Sequence, residues 1–243
     1  MSDWIYGFFM AWGMFLTIPC PKKIWRESAR RKMLACLPLI GLIVGGIWAL
    51  CAWLGSFLPQ PLAALLCAAA PWLVTGFMHL DGYMDVCDAV LSRRDLAMRQ
   101  QILKDSHCGA FAVICMVLLA LAQWSVFLQE KNPAWLPLLL IPAATRACAG
   151  LAVMHLRPMG TSQYAAMRRG GADLTAALWI FLALAVGLPI WLAGSFAPLA
   201  AAVGYGLAAW YGFRQLDGMS GDISGFALTV GELVGAATLL YVG

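Results

Sequence analysis

Apolar residues in this chain gather into long runs, at about 4–18, 33–54, 62–78, 109–129, 134–156, 174–193, 196–211 and 223–242. Several reach about twenty residues with no charge, the length and composition of a membrane-spanning helix. The first is shorter, about 15 residues or roughly 22 Å of helix, so it either spans under strain or lies in the interface. It carries no basic leading region and no A-x-A site, so it does not read as a removable signal peptide. Stretches 174–193 and 196–211 are separated by so few residues that they predict a tight helical hairpin. No internal repeat and no dividing linker interrupts the pattern. The expectation is an all-α polytopic membrane protein, about 7–8 transmembrane helices in one bundle, with residues 1–243 forming one membrane domain.

Composition agrees: 62% of residues are hydrophobic and 12% charged, and the mean hydropathy is +0.79. That charged share is about half of what a soluble protein carries. The eight cysteines form no C-x-x-C pair, and most lie inside apolar runs, where cysteine acts as a small hydrophobe. Neither a disulfide framework nor a zinc site is indicated. A net charge of +4 is modest, and the expected surroundings are a lipid bilayer, with no nucleic acid as partner.

The position of the charges says more than their sum. Segments 19–32, 79–108, 157–173 and 212–222 hold fourteen of the sixteen Lys and Arg residues. The intervening connections near 55–61, 130–133 and 194–195 hold only Lys131, and Arg146 lies inside an apolar run. The positive-inside rule puts the charged face in the cytosol, where magnesium and nucleotides are available.

One cytosolic connection is unlike the rest. Between Gly76 and Phe111 lie five of the chain's twelve carboxylates and two of its three histidines. Asp81, Asp85 and Asp88 are spaced i, i+4, i+7, which puts them within about 60° of one another on a helix. Three acids on one stripe repel each other unless a cation sits among them, and a divalent metal is a common answer. The plainer alternative is a solvated face neutralised by Arg93, Arg94 or Arg99. Asp81 directly follows an apolar run, which predicts a partly desolvated carboxylate in need of a partner. Gly82 costs about 1 kcal/mol of helix propensity, understandable if a ligand approaches the backbone there. His79 stands one step from the stripe, as a ligand or an interfacial hydrogen-bonding residue.

Lys104, Asp105, His107 and Gly109 follow where the chain re-enters the membrane. A helix beginning near Ser106 would aim free N–H groups at the site, suiting phosphate, and Asp105 is equally a helix cap or a ligand. Arg146 and Glu232 lie deep in apolar runs. They either pair with each other as structural glue or reach a phosphate and a cation. Arg157, Arg168 and Arg169 suit anionic lipid or substrate phosphate. D-G-M-S-G-D-I-S-G (217–225) is either a turn or, through Asp217 and Asp222, a second metal or nucleotide contact. No G-x-x-x-x-G-K-[ST] motif occurs, which excludes a P-loop ATPase.

H-L-D-G-Y-M-D-V-C-D (79–88) with I-L-K-D-S-H-C-G-A-F (102–111) resembles the signature of the cobamide synthase family, the adenosylcobinamide-GDP ribazoletransferases. T-I-P-C-P (17–21), P-L-I-G-L-I-V-G (38–45) and G-M-S-G-D-I-S-G-F (218–226), preceding Glu232-Leu233, extend the likeness over nearly the whole chain in the family's order. The first motif is specific, whereas the glycine-rich ones alone would be weak. Ala89 and Ala112 stand where many members have glycine. The resemblance implies an integral enzyme of the cell inner membrane that requires Mg2+. It would join adenosylcobinamide-GDP to α-ribazole, or its 5′-phosphate, releasing GMP and completing the nucleotide loop of adenosylcobalamin.

Under that resemblance Asp81 and Asp85, with Asp88 or Asp105, hold one or two Mg2+ ions. Asp88 takes the ribose hydroxyl proton, with His79 as second candidate. Lys104, Arg146, Arg157 and Arg168 contact phosphate, and Asp217, Asp222 and Glu232 supply a second metal or nucleotide contact. A homo-oligomer is expected only by analogy with other small membrane transferases. CDP-alcohol phosphotransferases also combine helically spaced aspartates with Mg2+, but the D-G-x-x-A-R pattern is missing after the second acid. A cation-coupled transporter would suit Arg146 and Glu232, but it predicts acids at the midplane rather than along one edge.

Overall fold

The computed structural model describes residues 2–130, 133–160 and 171–242. Lys131, Arg168 and Arg169 lie outside the described residues. The helices are α1 (Asp3–Phe15), α2 (Arg30–Ala35), α3 (Leu37–Gly55), α4 (Gln60–Val74), α5 (Met78–Leu91), α6 (Leu96–Ile102), α7 (Ala110–Phe127), α8 (Trp135–His155), α9 (Ala172–Ala193), α10 (Ala197–Leu216) and α11 (Gly221–Tyr241). Among the described residues there is no strand, and the protein is all-α as expected.

Five helices, α3, α7, α8, α9 and α11, are long and apolar enough to cross a membrane, or six if α4 and α5 together count as one bent span. The remaining apolar runs fall on shorter or more polar helices. α1 has only 13 residues and α4 only 15, while α10 has 20 but is diluted by tyrosine, glycine, Arg214 and Gln215. Central in the bundle is α8, whose most apolar window is 72% buried, against 17% for α9. Trp179, Ile180, Leu184 and Trp191 of α9 face outward, an arrangement suited to lipid. The connection from α9 to α10 is as tight as predicted, turned by Gly194 at φ 65°. Yet the two helices part company: α9 lies chiefly against α8, and α10 against α11.

The stretch P-L-I-G-L-I-V-G has a packing role. A Cβ on Gly45 would stand 2.1 Å from the Leu139 carbonyl oxygen, and one on Gly41 would stand 2.5 Å from that of Pro142. Two bare positions four residues apart therefore let the α3 and α8 backbones touch, a recurrent device of membrane helices.

Between α4 and α5 the chain turns by 91°. Gly76 and Phe77 take left-handed φ values of 60° and 62° in succession. The corner is held from far away in sequence. The Thr17 N–H donates to the Val74 carbonyl at 2.9 Å, and its hydroxyl reaches the Leu73 and Val74 carbonyls at 3.1 Å. Carbonyls at the end of a helix lack partners in the helix itself, so T-I-P-C-P supplies some of them.

Several of the charged connections meet at one end. Gln100 donates to the Leu216 carbonyl at 2.8 Å, and Arg99 to the Gln215 amide oxygen at 2.5 Å. Met159 and Met219 run side by side, joined by backbone bonds of 2.9 and 2.8 Å that involve Met159, Arg157 and Met219. At the opposite end Gln60 donates to the Phe127 carbonyl at 3.0 Å.

Candidate active site

α5 carries the acidic stripe as its spacing predicts, and α11 crosses it at close quarters. A Cβ on Gly82 would lie 2.7 Å from the Asp222 carbonyl oxygen, and one on Gly225 would lie 3.0 Å from that of His79. The Thr229 hydroxyl donates to the same His79 carbonyl at 3.3 Å. Gly82 is therefore explained by the α11 backbone, not by a ligand beside it as the sequence suggested. Without side chains at the crossing, the first turn of α11 comes near enough for Asp222 to face the stripe.

Asp85 consequently has Asp81, Asp222 and Asp88 as its like-charged neighbours. None of these four carboxylates takes part in any ion pair among the described residues. Arg99 is bonded to Gln215, so the reading in which arginines simply neutralise the stripe is not what the fold does. Asp81, expected to be the desolvated member, is exposed, whereas Asp85 and Asp88 are half-buried.

The stripe lines two cavities. An outer one of about 210 Å³ has Asp81, Asp85, Asp88, Asp105, His107 and Gly109 in its wall. An inner one of about 250 Å³ has His79, Asp81, Arg146, Asp222, Phe15 and Met14 in its wall. Asp81 belongs to both. The two candidate bases are thereby separated: Asp88 faces the outer cavity and His79 the inner one, stacked on Phe15 with ring centroids 6.3 Å apart.

α7 begins one turn later than expected, with Gly109 as its N-cap. The Asp88 carboxylate packs so tightly there that a Cβ on Gly109 would lie 2.0 Å from Oδ2. Asp105 does not cap the helix. Its Oδ1 accepts from the His107 backbone N–H at 3.0 Å and lies 2.6 Å from His107 Nδ1. These bonds hold the Asp105 carboxyl below its usual range and hold the His107 imidazolium to a higher pH than usual. Lys104 is exposed and is not in the wall of either cavity.

Arg146 and Glu232 pair with each other, Nη1 to Oε1 at 2.5 Å, and Arg146 also donates to the Pro142 carbonyl at 3.2 Å. Both are almost completely buried, as an intramembrane ion pair must be. The structural alternative for this pair therefore holds, although the Arg146 side chain still lines the inner cavity. Asp217 and Asp222, read together from the sequence, go separate ways. Asp217 caps α10 at φ 56° and is bound by Arg157, while Asp222 enters α11 beyond the Ser220 cap. Arg168 lies outside the described residues.

Among the described residues no group of three or more His, Cys, Asp or Glu side chains is arranged to hold a metal ion. Helix geometry explains this for the stripe alone. At 1.5 Å of rise per residue, Asp81 and Asp88 are roughly 10 Å apart along the axis, too far to converge on one ion. What the sequence did not show is that Phe15 of α1 walls the inner cavity and that Asp222, read as a second metal or nucleotide contact, faces the stripe itself. The signal for that closeness was glycine on both helices, Gly82 on α5 and Gly225 on α11.

A family model described as cobalamin-5-phosphate synthase (CobS) matches residues 7–240. The chain is 35% identical to an adenosylcobinamide-GDP ribazoletransferase of Clostridium botulinum (strain Alaska E43 / Type E3), covering 97% of each. A protein of the same name from Clostridium perfringens (strain 13 / Type A) is 35% identical over 95% of each chain. One from Geobacillus thermodenitrificans is 33% identical, covering 97% of this chain and 96% of its own. No solved structure matches. With a family model spanning nearly its full length and relatives of this similarity, the chain belongs to the cobalamin-5-phosphate synthase family.

Proposed function

We propose that this protein joins adenosylcobinamide-GDP to α-ribazole or its 5′-phosphate with release of GMP, in the cell inner membrane, with its charged end in the cytosol. The observation that carries the proposal is that two cavities share Asp81 in their walls, inside a cluster of four carboxylates that no ion pair neutralises among the described residues. Such a cluster suits a reaction between anionic partners only if cations accompany them.

The donor set fits Mg2+. Its oxygens are the hard ligands this ion takes, and Mg2+ typically uses one or two carboxylates, several waters and substrate phosphates rather than a complete protein cage. Asp81 with one carboxylate beside it, Asp85 of α5 or Asp222 of α11, would hold it together with water and substrate phosphate, and Asp88 or Asp105 would serve the outer cavity. When bound, Mg2+ would neutralise diphosphate charge and favour departure of GMP.

The chain's own residues do the rest. Asp88, in the outer cavity, is the candidate to accept the ribose hydroxyl proton as that oxygen approaches phosphorus. The two cavities would hold the two reactants on either side of Asp81, which lowers the entropic cost of bringing them in line. Arg146 has guanidinium donors beyond the Nη1 used by Glu232, and these suit a phosphate oxygen in the inner cavity. Purified protein in lipid nanodiscs, given adenosylcobinamide-GDP, α-ribazole and Mg2+, should release GMP, stop on addition of EDTA and resume with excess Mg2+. Absence of GMP release from folded protein would reject the proposal.

A further inference from the structure

Another cavity takes no part in the chemistry above. It lies between α1 and the returning segment 16–25, has a volume of about 850 Å³, and is walled by Phe9, Met10, Met14, Ile24 and Trp25 with Lys23 beside them. Two cross-links hold its walls. Trp12 Nε1–H donates to the Ile18 carbonyl at 2.9 Å, and Cys20 Sγ approaches the Phe9 carbonyl at 3.6 Å. Arg26 and Lys32 pair with Asp3, and Arg30 pairs with Glu27, but Lys23 is in no ion pair among the described residues.

Met14 connects this space to the site, since it lines both the large cavity and the inner one. The two spaces therefore adjoin at Met14, with Asp81 and Asp222 in the wall of the inner one. Size distinguishes the spaces. Cavities of about 250 and 210 Å³ lie below the usual range for whole ligands, roughly 300–1,000 Å³, while 850 Å³ lies near its top. A corrin is a broad macrocycle with a methylated, largely apolar rim and projecting amide arms. It calls for an apolar, polarisable wall with an open, polar mouth, which aromatic and methionine side chains beside the exposed Lys23 provide.

We infer that the cavity between α1 and segment 16–25 binds the corrinoid macrocycle of the substrate, with the diphosphate tail passing Met14 to reach Asp81 and Asp222. This rests on the proposed function and adds to it the location of the larger substrate's bulky end.

Gly13 gives a direct test. A Cβ there meets only Cys20 Cβ and Sγ, at 3.8 and 3.9 Å, so a larger side chain grows into the cavity. Gly13→Phe should raise KM for adenosylcobinamide-GDP about tenfold or more, with KM for α-ribazole unchanged. Titration with adenosylcobinamide alone, lacking GDP, should lose affinity by a similar factor. Trp25→Ala, at an exposed position, should weaken the same two quantities about threefold and serves if Gly13→Phe fails to fold. Gly187→Phe, whose Cβ faces open space on α9, is the matched control. Wild-type KM and adenosylcobinamide affinity in the folded variants would overturn the inference while leaving the proposed function intact. Conversely, wild-type protein that binds adenosylcobinamide through Gly13 and Trp25 but releases no GMP would uphold the cavity and reject the reaction.

Discussion

Replacing Gly82 by alanine adds one methyl group where α5 and α11 touch, and its consequences can be worked out from the contact. The new Cβ would sit 2.7 Å from the Asp222 carbonyl oxygen and 2.8 Å from its Cα, both backbone atoms that cannot swing aside. Ordinary contact begins near 3.4 Å. The helices must therefore part or slide by roughly 0.7 Å locally, and overpacking of this kind costs about 1–3 kcal/mol. Alanine in place of glycine returns about 1 kcal/mol of helix propensity, so the net loss of stability is about 0–2 kcal/mol. Activity should suffer more. The shift falls on Asp222 relative to Asp81 and Asp85, and a displacement of about 1 Å at a reacting centre can cost 10²-fold. GMP release by Gly82→Ala in nanodiscs should drop about 10- to 100-fold, while thermal unfolding moves only a few degrees. Gly187→Ala and Gly206→Ala, where a Cβ meets nothing within 4 Å, should keep wild-type turnover. Full activity in Gly82→Ala would refute the claim that this crossing positions the carboxylates.

Three further outcomes follow from the same structure. Arg146→Met should destabilise the protein by about 3–5 kcal/mol by stranding Glu232 in the interior, and Arg146→Met with Glu232→Leu should recover most of that in thermal unfolding. Thr17→Val removes the hydroxyl bonds to the Leu73 and Val74 carbonyls, so limited proteolysis at residues 75–77 should quicken, consistent with a loss of about 1 kcal/mol. Asp105→Asn should return the His107 titration, followed by NMR, toward its ordinary pH. Because His107 titrates higher in the folded protein, its pairing with Asp105 is complete below the ordinary histidine range and is lost as pH rises through the raised value. An unchanged His107 titration in Asp105→Asn would show that the pairing does not hold in solution.

What could be read in advance depended on how local the cause was. The stripe of Asp81, Asp85 and Asp88 was legible because helical spacing needs only its own residues. Most helix positions were legible because apolar length is a local property. The corner between α4 and α5 was not. Phe77 adopts a left-handed conformation that nothing in its side chain favours, and the turn is secured by Thr17, distant in sequence. Helix lengths were less legible, since run length alone does not reveal that a run bends or stops short. Gly82 was noticed but misattributed, because a bare backbone position invites either a ligand or another helix, and only packing decides between them. Asp217 and Asp222 looked alike in one glycine-rich loop, yet a left-handed cap at Asp217 and the Ser220 cap direct them to different neighbours. The Arg146–Glu232 pair illustrates the limit well: burial required partners, and only the fold could say that each was the other's.

The central claim is that the acids around Asp81 serve Mg2+-dependent chemistry rather than folding. It is tested most directly by measuring GMP release from adenosylcobinamide-GDP and α-ribazole for Asp81→Asn and Asp85→Asn, alongside Mg2+ titration of the wild type. The account predicts that both variants insert and unfold like the wild type but lose turnover by at least about 10²-fold at any Mg2+ concentration. Wild-type turnover in both variants would contradict it.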